Sequence, residues 1–263
     1  MSKTSGDTSF INVTTPESVD TAVTNLVDKP TKAIGQTASD LWQFLLGGRI
    51  SFARKKQEIW LAAKLEEYKK SIDEKVAAIP EEKRVPPSIQ IAGQAIEDSK
   101  YCFESEELRE LFANLIANSM NSDYSQKVHP SFSKIIQQLS PQDARVLSFI
   151  HQNGNEIAIA DYIVEYTDNS CIRLFKFIPA IQLPNCTLEQ ASRSISSLQL
   201  AGLFSISPDI RYYDSSKYDF FKNTYLYAKT IDVSKEENGK AGIKPQLGTL
   251  TALGEDFVSV CLD

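Results

Sequence analysis

The stretch from Glu104 to Leu147, ESEELRELFANLIANSMNSDYSQKVHPSFSKIIQQLSPQDARVL, decides the fold. Leu108, Leu111, Phe112, Leu115, Ile116 and Ser119 fall at i, i+3, i+4, i+7, i+8 and i+11, one face of an α-helix. Phe132, Ile135, Ile136 and Leu139 repeat the pattern one loop later, and Val146, Leu147 and Ile150 repeat it again. Three short helices with apolar stripes and tight connections are expected to pack on one another. The punctuation agrees. Glu104, Glu106 and Glu107 crowd the first turn of the opening helix, where the macrodipole favours anions. Asn121-Ser122-Asp123 ends that helix, and His129-Pro130 places proline in the first turn of the next. Ser140-Pro141-Gln142-Asp143 is a helix start with a serine cap, a proline and a carboxylate at the third position. Asn153-Gly154-Asn155 ends the third helix.

Towards the N-terminus the chain is more polar. Residues 1–16 are Ser/Thr-rich and aperiodic, which predicts a disordered tail. Val19, Val23, Leu26 and Val27 suggest a short helix ending at Lys29-Pro30. Ile34, Ala38, Leu41, Trp42 and Leu45 then make an apolar face, widened by Phe44 and Leu46 and stopped by Gly47-Gly48. Arg49, Arg54, Lys55 and Lys56 follow. Such a segment either lies on an anionic membrane surface through Trp42, Phe44 and those four cations, or docks on the protein's own helices.

Residues 49–79 form the longest helix candidate, with Leu61, Leu65, Tyr68, Ile72, Val76 and Ile79 in a narrow stripe. Glu66 and Lys70 are spaced to pair one turn apart. Pro80 ends the helix. The stripe suits a hairpin or a coiled coil with a second copy. Between Arg49 and Arg84 there are ten cations and seven anions, the one basic region of the chain. Val85-Pro86-Pro87-Ser88 breaks the chain before a helix with Ile89, Ala92 and Ile96 on one side.

The character changes after Asn155. Residues 157–166 (IAIADYIVEY) and 171–178 (CIRLFKFI), separated by Thr167–Ser170, read as a β-hairpin. The first run is apolar on both faces, so a helix stays open there. Thr187 caps a helix with Leu188, Ala191, Ile195, Leu198 and Gln199 on one face, and Gly202 closes it. Leu203–Ser207 is a predicted strand. Its predicted antiparallel partner is Tyr225–Ile231, across a tyrosine-rich loop 208–223. Residues 234–245 read as a polar loop, and Thr251 caps a last helix through Phe257, Val258 and Cys261. A helix, two strands around a long loop and a terminal helix follow the order of a winged-helix module.

The expected fold is α+β, mostly α. A disordered tail (1–16) precedes a helical region (17–139), and a winged-helix-like domain with a small antiparallel sheet (140–263) follows.

The chemistry is sparse. The 263 residues carry a net charge of −6, which argues against a broad electrostatic footprint on nucleic acid. Cys102, Cys171, Cys186 and Cys261 form no C-x-x-C pair, and His129 and His151 are not at ligand spacing from them. No metal site and no cofactor are expected. The N-terminal residues lack the apolar core of a secretory signal, and no run approaches the ~20 apolar residues of a membrane span. There is no phosphate-cradling glycine loop and no nucleophile elbow. Glu106, Glu107 and Glu110 could pass for a carboxylate cluster, but like charges at a helix start usually form a solvated face. His129 stands alone, without Ser, Asp or Cys at a telling spacing, and no catalytic residue is assigned.

Arg109, Asn114 and His129 are candidate scaffold or interaction residues. Either they share an exposed groove, or each has a protein hydrogen-bond partner. On the capped helix after Thr187, Arg193 is competent to read a base edge. In the loop, Arg211, Tyr212, Tyr213 and Lys217 suit base stacking or a protein contact. From Gln138 onward there are eleven cations against fifteen anions, which favours a protein contact over a duplex.

EELRELFANLIANSM, HPSFSKIIQQLSPQDARVL, SSLQLAGLFSI and LTALGEDFVSVCL together resemble the abortive-infection alpha family of bacterial proteins. The resemblance covers roughly residues 85–263. It rests on Leu108, Arg109, Phe112, Asn114, Leu115, Met120, His129, Pro130, Leu139, Ser140, Gly202, Leu203, Gly254, Phe257 and Cys261. It implies a bacterial cytoplasmic protein in defence against bacteriophage and carries over no catalytic residue. The expected function is non-enzymatic binding of a protein or phage-derived partner. Alternatives are a winged-helix DNA-binding regulator, a membrane-active effector through residues 33–56, and an enzyme whose site the motifs do not reveal, which a buried polar cleft with convergent ionisable groups would revive. Homo-oligomerisation through helix 49–79 is a further expectation. On this reading apolar ridges, not reactive side chains, account for the distinctive residues. A solvent-open cavity ringed by ionised groups of the middle helices would overturn it.

Overall fold

The computed structural model describes residues 55–263. The predicted tail, the helix before Pro30 and the apolar segment 33–48 lie outside the described residues. The described chain is α+β and mostly helical.

Helix α1 (Lys55–Ala78) ends two residues before Pro80. Tyr68, Ile72, Val76 and Ile79 are buried. They pack towards α3 (Glu106–Asn118), and the Tyr68 and Phe103 rings meet edge-on at 5.5 Å. From Tyr68 onward the stripe is therefore covered by the chain's own helix. The predicted Glu66–Lys70 pair is replaced by Glu66–Lys69 at 3.1 Å and Lys70–Glu74 at 3.6 Å. A π-turn (Ile89–Gly93) leads into α2 (Gln94–Ser99).

α3 is the hub. Leu108, Leu111, Phe112, Leu115 and Ile116 are all buried, at most 6% exposed. Ser105 caps it by accepting the Leu108 N–H. Helix α4 (Phe132–Gln138) starts after Ser131, so Pro130 lies before the cap instead of in the first turn. The His129–Ser131 turn occupies the place assigned to a helical turn. Helix α5 (Pro141–Gln152) opens on a complete capping box between Ser140 and Asp143. It closes at Gly154, whose φ of +89° fits a residue without a Cβ.

Strands β1 (Glu156–Glu165) and β2 (Cys171–Pro179) form the predicted hairpin. Helix α6 (Leu188–Leu200) is capped by Thr187 and ends at Gly202, where Leu203 N–H returns to the Leu198 carbonyl. Strand β3 (Phe204–Ser207) follows.

The region after β3 differs from the prediction. Tyr225–Ile231 is not a strand but part of helix α8 (Tyr225–Glu236), capped by Thr224. Leu226, Thr230 and Ser234 are buried at a spacing of four, a helical period carried by one apolar and two small polar residues. The partner of β3 is β4 (Lys240–Leu250), which begins inside the predicted polar loop. Its glycines and Pro245 hide it, because both are normally depleted in strands. Gly248 is required there, since a Cβ would sit 2.3 Å from the Phe204 ring. Pro245 pairs with Ala160 beyond the reach of β3. The loop 208–223 holds a 3-10 turn (Ser215–Tyr218) and the short helix α7 (Asp219–Lys222).

The sheet order is β2-β1-β4-β3, all antiparallel. Residues 208–239 form an insert between β3 and β4, and it explains the double-sided apolarity of β1. Ala158, Ala160 and Tyr162 lie on one face of that strand, clustered with Ile178, Leu188, Tyr218, Phe221 and Leu226. Helix α9 (Ala252–Cys261) closes the chain against α3, with Thr251 as its cap. Gly254 lets it approach the Leu203 carbonyl, which a Cβ would meet at 2.1 Å.

Candidate functional site

Helices α1, α3 and α5 and the end of α9 enclose a solvent-open cleft of about 320 Å³. α3 supplies Glu107, Glu110, Leu111 and Asn114, at spacings that keep them on one face. α5 supplies Ala144, Arg145 and Ser148. Lys75 comes from α1, and Cys261, Leu262 and Asp263 from the chain end. This is the ionised cavity among the middle helices that overturns the reading by apolar ridges alone. The ridges explain the core, and the cleft stands beside them.

The ionised groups are paired. Lys75 Nζ lies 3.0 Å from Glu110, which also accepts from Ser71 Oγ at 3.1 Å. Arg145 Nε lies 3.8 Å from Glu107, too far for a hydrogen bond, and Arg145 Nη2 donates to Gln142 at 2.8 Å. His151 Nε2 lies 2.8 Å from Asp263 and its Nδ1 is 2.9 Å from the Asn155 side chain. Backbone N–H bonding at the helix start holds the Glu107 carboxyl below its ordinary value, helped by Ser105 and Arg145. The Asn155 side chain, then Asp263, raises the His151 pKa. Burial pushes the Cys261 thiol well above its ordinary value, so it is a neutral floor residue. Among the described residues, no three His, Cys, Asp or Glu side chains gather to hold a metal ion.

The sequence-predicted residues separate. Asn114 alone lines the cleft, and its amide donates to the Cys261 carbonyl at 2.8 Å. Arg109 is buried at 8% exposure and donates to the Phe103 carbonyl. His129 is exposed and turned back on its own loop, with Nδ1 2.7 Å from Ser131 Oγ and accepting the Ser131 N–H. These three do not share a groove, and each has a protein partner. Arg193 is exposed on α6, and Arg211 and Tyr213 are exposed in the insert. Lys217 sits 5.7 Å over the ring of half-buried Tyr212. Trp42, Phe44, Arg49 and Arg54 lie outside the described residues, and Lys55 and Lys56 open α1.

Sequence reasoning missed Asn118, Lys75, Arg145, His151 and Asp263. Asn118 donates to the Val260 carbonyl at 2.8 Å, one turn along from Asn114. The two amides thus satisfy two of the carbonyls that the end of α9 leaves open. Their i, i+4 spacing was a usable signal. So was a histidine in the last turn of α5, where a cation is favoured. Several polar residues of α6, though not Arg193, are likewise spent inside the molecule. Glu189 accepts from Tyr225, Ser192 donates to the Lys176 carbonyl at 2.7 Å, and Ser197 donates to Asp143 at 3.0 Å. Gln190 completes the Thr187 cap. No helix among the described residues is long and apolar enough to cross a membrane.

Comparison with curated proteins finds no match. A solved structure of an uncharacterised protein from the hydrocarbon-degrading marine bacterium Alcanivorax borkumensis SK2 is similar over 54% of this chain and 96% of its own. The identity is 13% and the TM-score 0.34, a likeness too slight to carry an argument. The model of the family described as abortive infection alpha matches residues 61–261, from within α1 to the end of α9, and takes in every cleft residue named above except Leu262 and Asp263. The chain belongs to the abortive infection alpha family.

Proposed function

We propose that this protein serves in defence against phage as a non-enzymatic component that acts by binding a macromolecular partner. The observation that carries the reading is the state of the cleft's charges. Lys75 with Glu110, Arg145 with Glu107 and Asp263 with His151 are opposed pairs. The lowered Glu107 does not suit a general acid at neutral pH, and the Cys261 thiol is too strongly desolvated for a nucleophile. Family membership supplies the biological setting.

In this reading α5, α6 and the strands β1, β4 and β3 make a winged-helix-like unit whose wing is replaced by the insert 208–239. Glu189, Ser192 and Ser197 of α6 are engaged by α8, β2 and α5, which leaves Arg193 as the exposed cation of that helix and supports a protein contact over duplex reading.

The test is phage plating on cells carrying the gene, at low and high phage dose. The proposal expects fewer plaques at low dose and death of the infected culture at high dose. Equal plaque numbers with and without the gene would overturn it.

A further inference from the structure

The cleft holds unspent hydrogen-bonding capacity of both signs on facing walls. On the α5 wall, Arg145 uses one guanidinium nitrogen for Gln142 and meets Glu107 only at 3.8 Å, so most of its five N–H groups make no hydrogen bond among the described residues. Ser148 Oγ accepts from Gln152 at 3.3 Å, and its own proton goes to no described residue. The α3 wall is the opposite. Glu107 and Glu110 are carboxylates, and Asn114 gives its N–H to Cys261 while its amide oxygen has no hydrogen-bond partner among the described residues. Between the walls lie Leu111, Ala144 and Leu262. The volume, about 320 Å³, is at the small end of ligand sites, which run roughly 300–1,000 Å³.

Within the Arg145–Glu107 pair, a ligand of single charge engages one partner and leaves the other without its counter-charge. An anion on Arg145 strands Glu107, and a cation on Glu107 strands Arg145. A compact dipolar molecule satisfies both walls at once. We propose that the cleft binds a free aliphatic α-amino acid, its carboxylate on Arg145 and Ser148, its ammonium on Glu107, and its side chain on Leu111, Ala144 and Leu262. The long Arg145–Glu107 contact is then replaced by charge-assisted hydrogen bonds on either side of the ligand. This goes beyond the defence reading and does not depend on it. Binding to the purified protein neither requires nor implies protection in the plating assay.

Titration calorimetry on the full chain with L-leucine tests it. The expected result is saturable one-site binding. 4-Methylpentanoate and 3-methylbutylamine, which keep one charge each, are expected to bind roughly ten- to hundredfold more weakly, as are the Arg145→Gln and Glu107→Gln variants. Both replaced side chains reach solvent, and a melting curve verifies that each variant is folded. N-acetyl-L-leucine separates a free amino acid from the carboxylate end of a peptide. The proposal is overturned by absence of saturable binding up to about 10 mM L-leucine. It is equally overturned if N-acetyl-L-leucine binds as tightly as L-leucine, or if either folded variant keeps the wild-type affinity.

Discussion

The body around α3 and the insert 208–239 bury their aromatic residues in different ways. In the body, Phe112, Phe132 and Phe257 are fully buried, and the Phe132 and Phe257 rings meet edge-on at 5.2 Å. Polar groups there act between distant elements, as when Asn114 and Asn118 reach across to α9. In the insert, Phe221 and Tyr218 are buried but Tyr212, Phe220 and Tyr227 only half so, and Tyr213 is fully exposed. Its side-chain anchors include Tyr162 Oη to the Phe221 carbonyl at 3.0 Å and to Thr224 Oγ1 at 2.6 Å, Tyr218 Oη to the Gln246 carbonyl at 3.0 Å, Tyr166 Oη to Glu237 at 3.4 Å, and Tyr225 to Glu189. The body depends on the whole chain being folded, whereas the insert leans on one face of a sheet. Removing a large side chain from the first should unfold everything. Removing one from the second should loosen only its surroundings.

The largest expected effect follows from that contrast. Phe112→Ala empties the centre of α3 and should cost about 3–5 kcal/mol in urea unfolding, with a single cooperative transition. Phe221→Ala removes a side chain of the same size. It should strip hydrogen-exchange protection from residues 208–236 while α3 amides stay protected, and equal loss in both regions would erase the distinction. Gly254→Ala comes next. The new Cβ meets the Leu203 backbone, which cannot swing aside like a side chain, and α9 must shift away from β3. A loss of roughly 1–3 kcal/mol is expected from thermal unfolding.

Much of the body was legible because its signals are local. The stripe of α3, the capping boxes at Ser140 and Thr187, the Thr251 cap and the Gly202 stop each lie within a few residues of the feature they set. The insert and β4 were not legible, because distant neighbours decide them. Tyr225, Tyr227, Ile231 and Val233 favour a strand by propensity, yet α8 forms because Leu226 and Thr230 find a place over the sheet. β4 accepts Gly248 only because Phe204 fills the space above it. The cleft was half legible. Asn114 and the glutamates stood out on α3, but Lys75 and Arg145 become site residues only when three helices meet.

Smaller effects sharpen the comparison. His151 has a raised pKa, so the folded state binds its proton more tightly than the unfolded chain does. Its stabilisation is complete below the ordinary histidine value near 6.5 and fades as pH rises through the higher folded value. The expected size is at most about 1 kcal/mol, because the pair is open to solvent. The pH profile of the unfolding midpoint should flatten over that window in His151→Gln. Tyr213→Ser, at a fully exposed ring, should change stability by less than about 0.5 kcal/mol in the same assay.

The account rests on the polar residues of α3 serving as bolts for α9. Urea unfolding of the Asn114→Ala, Asn118→Ala double variant tests this most directly. Two lost hydrogen bonds, each leaving a buried carbonyl without its donor, predict a loss of about 2–4 kcal/mol with an unchanged denaturant slope. An unfolding midpoint equal to that of the unaltered protein would contradict it.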